Sequence, residues 1–297
     1  MKIVHYGRRQ YLKMVFLYLS DQLFIWVMTV PSKSILITGG TSGLGLELVK
    51  HFLSSGYEVY TIGRDLKNIS LNKNNFHFIK SDLADLNQLS VTIHDLLDKQ
   101  IVFDIVINNA GVLGPSKFET TKDGFEYTFQ VNYLSHLLID AMILSRKVDS
   151  DPLILVSITS PVYRYYTPCF ESRSEKNFNS FRSYSESKIY LLLIGGFLAE
   201  KYPEKTLTYF SFNPGIFRSG ISRLKKRWFK KMYRIGSPLM RDPSKVAMIL
   251  KEIIARKEIV NGTVYKSESR YKFVNHIDKM AVDSFMGRCH ELIKSYI

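Results

Sequence analysis

Only two cysteines occur in 297 residues, Cys169 and Cys289, far apart and without metal-ligand spacing. A disulfide framework and a thiolate metal centre are thereby set aside, and free thiols in a reducing, cytoplasmic setting are expected. Repeats and low-complexity tracts are missing too. With 45% hydrophobic residues, nothing in the composition points to disorder. Acidic residues are in deficit, 27 against 41 lysines and arginines, which leaves a formal charge of +14. Such a field draws anions toward the surface but does not choose among phosphate ligands, lipid headgroups and nucleic acid. No base-reading module accompanies the charge, so a nucleic-acid partner is not expected. An uninterrupted apolar run of the ~20 residues that a spanning helix needs is also lacking. The nearest approach, Tyr11 to Val30 closed by Pro31, is broken by Lys13, Asp21 and Gln22 and has no small-residue cleavage site after it. Residues 1–31 are therefore expected to be a leader, an accessory or interfacial helix, with a functional start at Met28 as the alternative.

What is present is organised around Ser34 to Gly45, SILITGGTSGLG. Ser34-Ile35-Leu36-Ile37 reads as a buried parallel strand, Thr38-Gly39-Gly40 breaks it, and a helical pattern follows with Leu46, Leu48, Val49 and Phe52. Strand, glycine turn and helix together form a phosphate cradle. Backbone without side chains approaches a pyrophosphate closely, and the N–H groups of the first helical turn face the anion.

Further strands are expected at Tyr57–Ile62, Phe76–Ile79, Asp104–Ile107, Leu153–Ile158, Thr208–Phe212 and Gly262–Tyr265. The second ends in Gly63-Arg64-Asp65. An acidic residue there suits a ribose hydroxyl, whereas an arginine suits a 2′-phosphate. With Gly63 in the strand-end slot and Arg64 following, NADP(H) is expected over NAD(H); the alternative makes Arg64 a solvated charge and Asp65 the recognition group. Asp82, after the third strand, either accepts from an adenine amino group or caps the next helix. Asn108-Asn109-Ala110-Gly111 ends the fourth strand. Asn132 interrupts the apolar face of a helix from Phe125 to Leu138, either as a satisfied core amide or as part of a water network. Tyr184 and Lys188 share one helix face, where a neighbouring cation stabilises a phenolate and equips the pair for proton exchange with a carbonyl or alcohol. Ile221 to Ile235 is a basic amphipathic helix, read as a lid over a pocket, with contact to an anionic membrane left open. A helix is also expected at Val246–Ile254.

In this order the pieces resemble the short-chain dehydrogenase/reductase family over residues 32 to 297. Thr38-Gly39-Gly40-Thr41-Ser42-Gly43-Leu44-Gly45 matches its Thr-Gly-x-x-x-Gly-x-Gly turn, Asn108 to Gly111 its Asn-Asn-Ala-Gly motif, and Tyr184 with Lys188 its catalytic pair. The resemblance implies an α/β fold: a single Rossmann domain with a doubly wound parallel sheet and a helical substrate lid at about 219–240. It implies hydride exchange between NADP(H) and a small, apolar carbonyl or alcohol. Tyr184 would pass the proton, Lys188 would hold the nicotinamide ribose and lower the tyrosine pKa, and Asn132 would position a relay water. Cofactor contacts would come from Gly39, Thr41, Ser42, Gly43, Leu44, Gly45, Arg64, Asp82, Leu83, Asn109, Ala110, Gly111, Tyr184, Lys188, Pro214, Gly215, Phe217 and Ser219, with no metal. Assembly as a homodimer or homotetramer stays open, as does a catalytically inactive, NADP(H)-binding regulator or scaffold.

The family pairs two serines at the end of the fifth strand, and here the chain reads Val156-Ser157-Ile158-Thr159-Ser160. Aligning Ile158-Thr159-Ser160 makes Ser160 the catalytic hydroxyl and is preferred. Aligning on Ser157 would put Ile158 in that slot. The run Val131 to His136 and the long insert between Ser160 and Tyr184 look most like retinol dehydrogenases and their lipid- or porphyrin-reducing relatives.

Overall fold

The structure, a computed structural model, describes residues 14–17, 25–28, 32–66, 71, 73–146, 152–171, 174–201, 206–215, 241–256, 258–267, 269–272 and 278–297. The expected lid, its basic stripe, Phe217 and Ser219 lie outside these residues.

In the leader, β1 (Met14–Leu17) pairs antiparallel with β2 (Ile25–Met28). These residues are strand where a helix was expected. The segments MVFL and IWVM are rich in β-branched and aromatic side chains, which favour extended backbone. Eight strands make the main sheet: β3 (Ser34–Thr38), β4 (Glu58–Gly63), β5 (Phe76–Lys80), β6 (Ile105–Asn108), β7 (Leu153–Ile158), β8 (Leu207–Phe212), β9 (Thr263–Lys266) and β10 (Ser269–Lys272). Their order is β10-β9-β8-β7-β6-β3-β4-β5. Every pairing is parallel except β9 with the edge strand β10.

The apolar runs are continuous because the sheet is covered on both faces. Alternate residues divide between two cores. Ile35, Ile37, Ile105, Ile107 and Val156 pack with Leu48, Val49 and Phe52 of α1 (Gly43–Ser54) and with Val246, Leu250 and Ile253 of α6 (Pro243–Ile254). Leu36, Val106 and Leu155 face the other way. There they meet α2 (Leu86–Asp98), α4 (Ser135–Ser145), α5 (Ser180–Lys201) and α7 (Lys279–Ile293). A short α3 (Tyr127–Phe129) and a π turn (Gln130–Leu134) lead into α4. Each fully buried Leu, Ile or Phe contributes about 1.5–3 kcal/mol, and the two cores together hold the helices to the sheet.

The chain winds from β3 outward through β4 and β5, then crosses to β6 on the opposite side of β3. The strand order reverses between β3 and β6, and a crevice opens at their carboxyl ends. Among the described residues no helix is long and apolar enough to cross a membrane. The edge strand β10 and the helix α7 were not anticipated. Most residues of α7 are exposed, with only Phe285, Met286, Cys289 and Ile293 buried.

Candidate active site

The glycine turn takes its shape from backbone that only glycine tolerates well. Gly39 and Gly43 have φ of 69° and 55°, a region L side chains rarely enter. A Cβ on Gly45 would lie 2.3 Å from the Gly39 carbonyl oxygen and 2.5 Å from Asn109 Nδ2. On Gly40 it would lie 2.0 Å from Thr61 Oγ1, which accepts the Gly40 N–H at 2.9 Å. Helix α1 is thereby drawn against the ends of β3 and β6, and Ser42 at its N-cap makes no side-chain capping bond. A side chain at Gly63 would press on Thr41 Cγ2 at 3.3 Å, so the end of β4 also closes on the turn. A cradle in which added Cβ atoms would collide with backbone and neighbours is what a dinucleotide pyrophosphate fits.

The neighbouring loop is pinned through Thr38. Its Oγ1 accepts the N–H groups of Asn109 and Ala110 at 3.0 and 2.9 Å, and Asn109 Nδ2 donates to the Thr38 carbonyl at 2.9 Å. Gly111 then passes beside the catalytic candidates: a Cβ there would stand 3.3 Å from Lys188 Nζ and 3.7 Å from Asn132 Oδ1.

Asn132 sits in the π turn and is fully buried. Its Oδ1 accepts from Val112 N at 2.8 Å, and its Nδ2 donates to Val112 O at 2.8 Å and Ser187 Oγ at 3.0 Å. Both amide hydrogens are therefore engaged, and the side chain clamps the loop after β6 to α5. On α5, Tyr184 and Lys188 face the carboxyl end of β7. The Ser160 side chain stands close enough to the Tyr184 hydroxyl to pull the phenol's pKa down, while Lys188 Nζ donates to the Ile158 carbonyl at 3.0 Å. Ser157 is fully buried within β7, paired in register with Asn108 and Ser211. Of the two serines, Ser160 is the one that acts on the tyrosine's ionisation.

Burial dominates the ionisation of this pair. It pushes the Tyr184 phenol up to about 12 against the opposing pull of the Ser160 side chain, and it brings the Lys188 ammonium down to about 8. Lys188 Nζ lies 5.8 Å from the centroid of the Tyr184 ring. The lowering of the tyrosine by the lysine that the sequence suggests is not among the influences on the phenol: burial raises it and the Ser160 side chain alone opposes that rise.

Other candidates fall at the crevice rim. Arg64 is exposed just beyond β4. Asp82 Oδ1 accepts the Ala84 N–H at 3.0 Å, whereas the cap of α2 is Asp85, which accepts from Gln88 N at 3.0 Å. Of the two roles left open for Asp82, capping α2 is thus ruled out. Leu83 is buried in the core. Pro214 and Gly215 follow β8, with Gly215 at φ 73° and its N–H on Asn213 Oδ1 at 3.0 Å.

Two buried polar residues were missed, His136 and Asp140. They follow Asn132 at intervals of four, so one helix face carries three polar residues in a row. That periodicity was the available signal. Both Asp140 carboxylate oxygens accept from Asn108 Nδ2, at 3.0 and 2.8 Å, and burial pushes the acid up to about 7 despite that bond. Between about pH 4 and 7 the native chain keeps a proton that the unfolded chain has released, so Asp140 makes stability fall as pH rises through this window. Asp140→Asn is expected to flatten that decline, by at most on the order of 4 kcal/mol. Denaturant midpoints measured at the two ends of the window check this, and an unchanged slope would refute it.

A strand-order reversal, a glycine cradle and a buried tyrosine–lysine pair with Ser160 beside it define a dinucleotide-dependent oxidoreductase. The profile of the short chain dehydrogenase family matches residues 33–229, and the chain belongs to that family. It is 28% identical over 222 residues to retinol dehydrogenase 12 of Homo sapiens, covering 71% of this chain and 70% of that protein. Against retinol dehydrogenase 11 of Homo sapiens it is 27% identical over 234 residues, covering 74% and 73%. In fold it is similar to a short chain dehydrogenase from Leptospira borgpetersenii solved with bound NAD+ (TM-score 0.63, 19% identity, 90% of this chain and 97% of that one). A short-chain dehydrogenase from Streptomyces avermitilis gives a TM-score of 0.61 at 17% identity, covering 90% and 96%. The chain is accordingly an NAD(P)-dependent oxidoreductase acting on small carbonyl or alcohol compounds.

Proposed function

We propose that this oxidoreductase uses NADP(H) and interconverts an apolar aldehyde or ketone with its alcohol, with Tyr184 as the general acid and base. The observation that carries the reading is the juxtaposition of Tyr184 and Ser160, with Lys188 one helical turn on and its Nζ 3.3 Å from where a Cβ on Gly111 would stand. Thr41 to Gly45 would hold the pyrophosphate over Gly39, Asp82 and Leu83 the adenine, and Arg64 the 2′-phosphate. The nicotinamide would lie against Asn109 to Gly111, Lys188, Pro214 and Gly215, with Phe217 and Ser219 beyond. When bound, the reduced dinucleotide supplies the hydride that a carbonyl carbon accepts.

The chain's own part is the proton. A phenol held protonated up to about pH 12 is a donor at neutrality, so Tyr184 gives its proton to the substrate oxygen as hydride reaches the carbon. Ser160 donates a hydrogen bond to the same oxygen, where negative charge develops. Lys188, with its pKa lowered to about 8, holds the ribose and favours return of a proton to the phenolate. Asn132 keeps the loop and α5 at a constant separation. In the alcohol-to-carbonyl direction the same groups act in reverse.

The relatives named as retinol dehydrogenases suggest a long apolar substrate such as a retinoid, met in the cytoplasm or at a membrane surface touched by the leader. Oxidation of NADPH and NADH across a panel of apolar aldehydes, retinaldehyde included, tests this. NADPH should be preferred, and Arg64→Ala should raise its KM roughly tenfold or more while leaving NADH within about twofold, since a charged hydrogen bond to phosphate is worth ~1.5–3 kcal/mol. Equal loss for both cofactors would assign Arg64 no part in the preference. Tight NADPH binding with no turnover on any substrate would favour the regulator instead.

A further inference from the structure

We infer that His136 is a positioning residue, which ties the nucleotide-side loop at Thr38 to the main chain of Asn132 through a hydrogen-bond chain with a single permitted direction. The inference rests on the reading of Asn132 as a site residue but is tested independently of turnover. His136 is fully buried on α4. Its Nε2 lies 3.0 Å from Thr38 Oγ1 and its Nδ1 lies 2.9 Å from the Asn132 carbonyl oxygen.

Donor counting settles the direction. A carbonyl only accepts, so Nδ1 must carry a hydrogen. Thr38 Oγ1 already accepts two N–H groups, from Asn109 and Ala110, which uses both acceptor positions of a hydroxyl. It must therefore donate, and Nε2 must accept. A competing acceptor, the Ile107 carbonyl, lies at 3.5 Å, too far to compete well. The result runs one way: two loop N–H groups to Thr38, Thr38 to Nε2, and Nδ1–H to Asn132.

Such a chain requires a neutral ring, hydrogen-bearing at Nδ1. Burial brings the imidazole down to about 4, partly opposed by its bond to the Asn132 carbonyl, and the nearby Lys188 charge acts in the same direction as burial. His136 therefore stays uncharged through neutrality and works as a strut, not as a titrating group. Its two ends meet the loop that lies against the cofactor and the turn that carries Asn132, so it sets their separation.

Two measurements on the full chain decide the matter. Imidazole 15N NMR should show His136 protonated at Nδ1, bare at Nε2, and without titration between about pH 5 and 9. A ring protonated at Nε2, or one that titrates near the ordinary histidine value, would overturn the assignment. A double-mutant cycle then tests the strut. His136→Leu and Thr38→Val should each weaken NADPH binding about five- to thirtyfold by fluorescence titration, and the double variant should lose no more than the larger single loss. His136→Gln, which keeps one donor and one acceptor, should recover part of the affinity. Fully additive losses, or no gain for Gln over Leu, would reduce His136 to packing. Should His136→Leu not fold, the Thr38→Val and His136→Gln pair completes the cycle. Activity that survives loss of the Tyr184 hydroxyl would defeat the catalytic reading while leaving these binding and NMR outcomes unaffected.

Discussion

Tyr184→Phe is expected to lower kcat by about a thousandfold or more, the range that general acid–base catalysis supplies, while NADPH still binds within about threefold. The hydroxyl is the group removed, and Ser160 stands beside it. The cradle is mostly backbone at Gly39 to Gly45 and does not depend on it. Stopped-flow turnover together with fluorescence titration separates the two quantities. Retained turnover would exclude Tyr184 as the proton donor. The pH profile adds a sign. Reduction uses groups in their protonated forms, so its rate should hold level through neutrality and fall as pH climbs through about 8, where Lys188 loses its charge. Tyr184 itself, at about 12, should not set that limb. Lys188→Met should remove the limb along with most of the rate, whereas Lys188→Arg should move it upward.

Gly45→Ala is expected to be strongly damaging, because the added methyl meets backbone. It would sit 2.3 Å from the Gly39 carbonyl oxygen and 2.5 Å from Asn109 Nδ2, and a backbone carbonyl cannot step aside as a flexible side chain can. Overpacking of this kind costs about 1–3 kcal/mol, or roughly 2–5 °C in Tm for a domain of this size. NADPH affinity should fall at least about tenfold, because α1 must move off the crevice. Gly196→Ala is the control. A Cβ there meets nothing within 4 Å, and alanine in a helix is favoured over glycine by about 0.5–1 kcal/mol. Thermal melts with and without NADPH would compare the pair, and equal behaviour of the two variants would contradict the close packing at the turn.

The parallel strands were legible because a sheet covered on both faces writes itself as apolar runs. The observed bounds of β3 and β7 fall within a residue of those read from Ser34-Ile35-Leu36-Ile37 and from Leu153 to Ile158. The glycine turn was legible for a related reason: strand and helix pattern on either side leave one place for the backbone to approach a phosphate. Tyr184 and Lys188 could be paired because four residues make about one helical turn. The edge strand β10 and helix α7 were harder to see. An edge strand carries half its residues into solvent, and α7 buries only a narrow stripe.

Local order along the chain thus determined the parallel strands, the cradle and the placing of Tyr184 and Lys188 on one helix face, since each depends on neighbours within a turn or a strand. Tertiary structure alone decided which hydroxyl meets the tyrosine. Ser157 and Ser160 are three residues apart at one strand end, and the approach of α5 selects Ser160. The same holds for the clamp by Asn132, the strut of His136 and the protonation of Tyr184. Each is set by partners far away in sequence and by the loss of water around them, which spacing along a chain does not record.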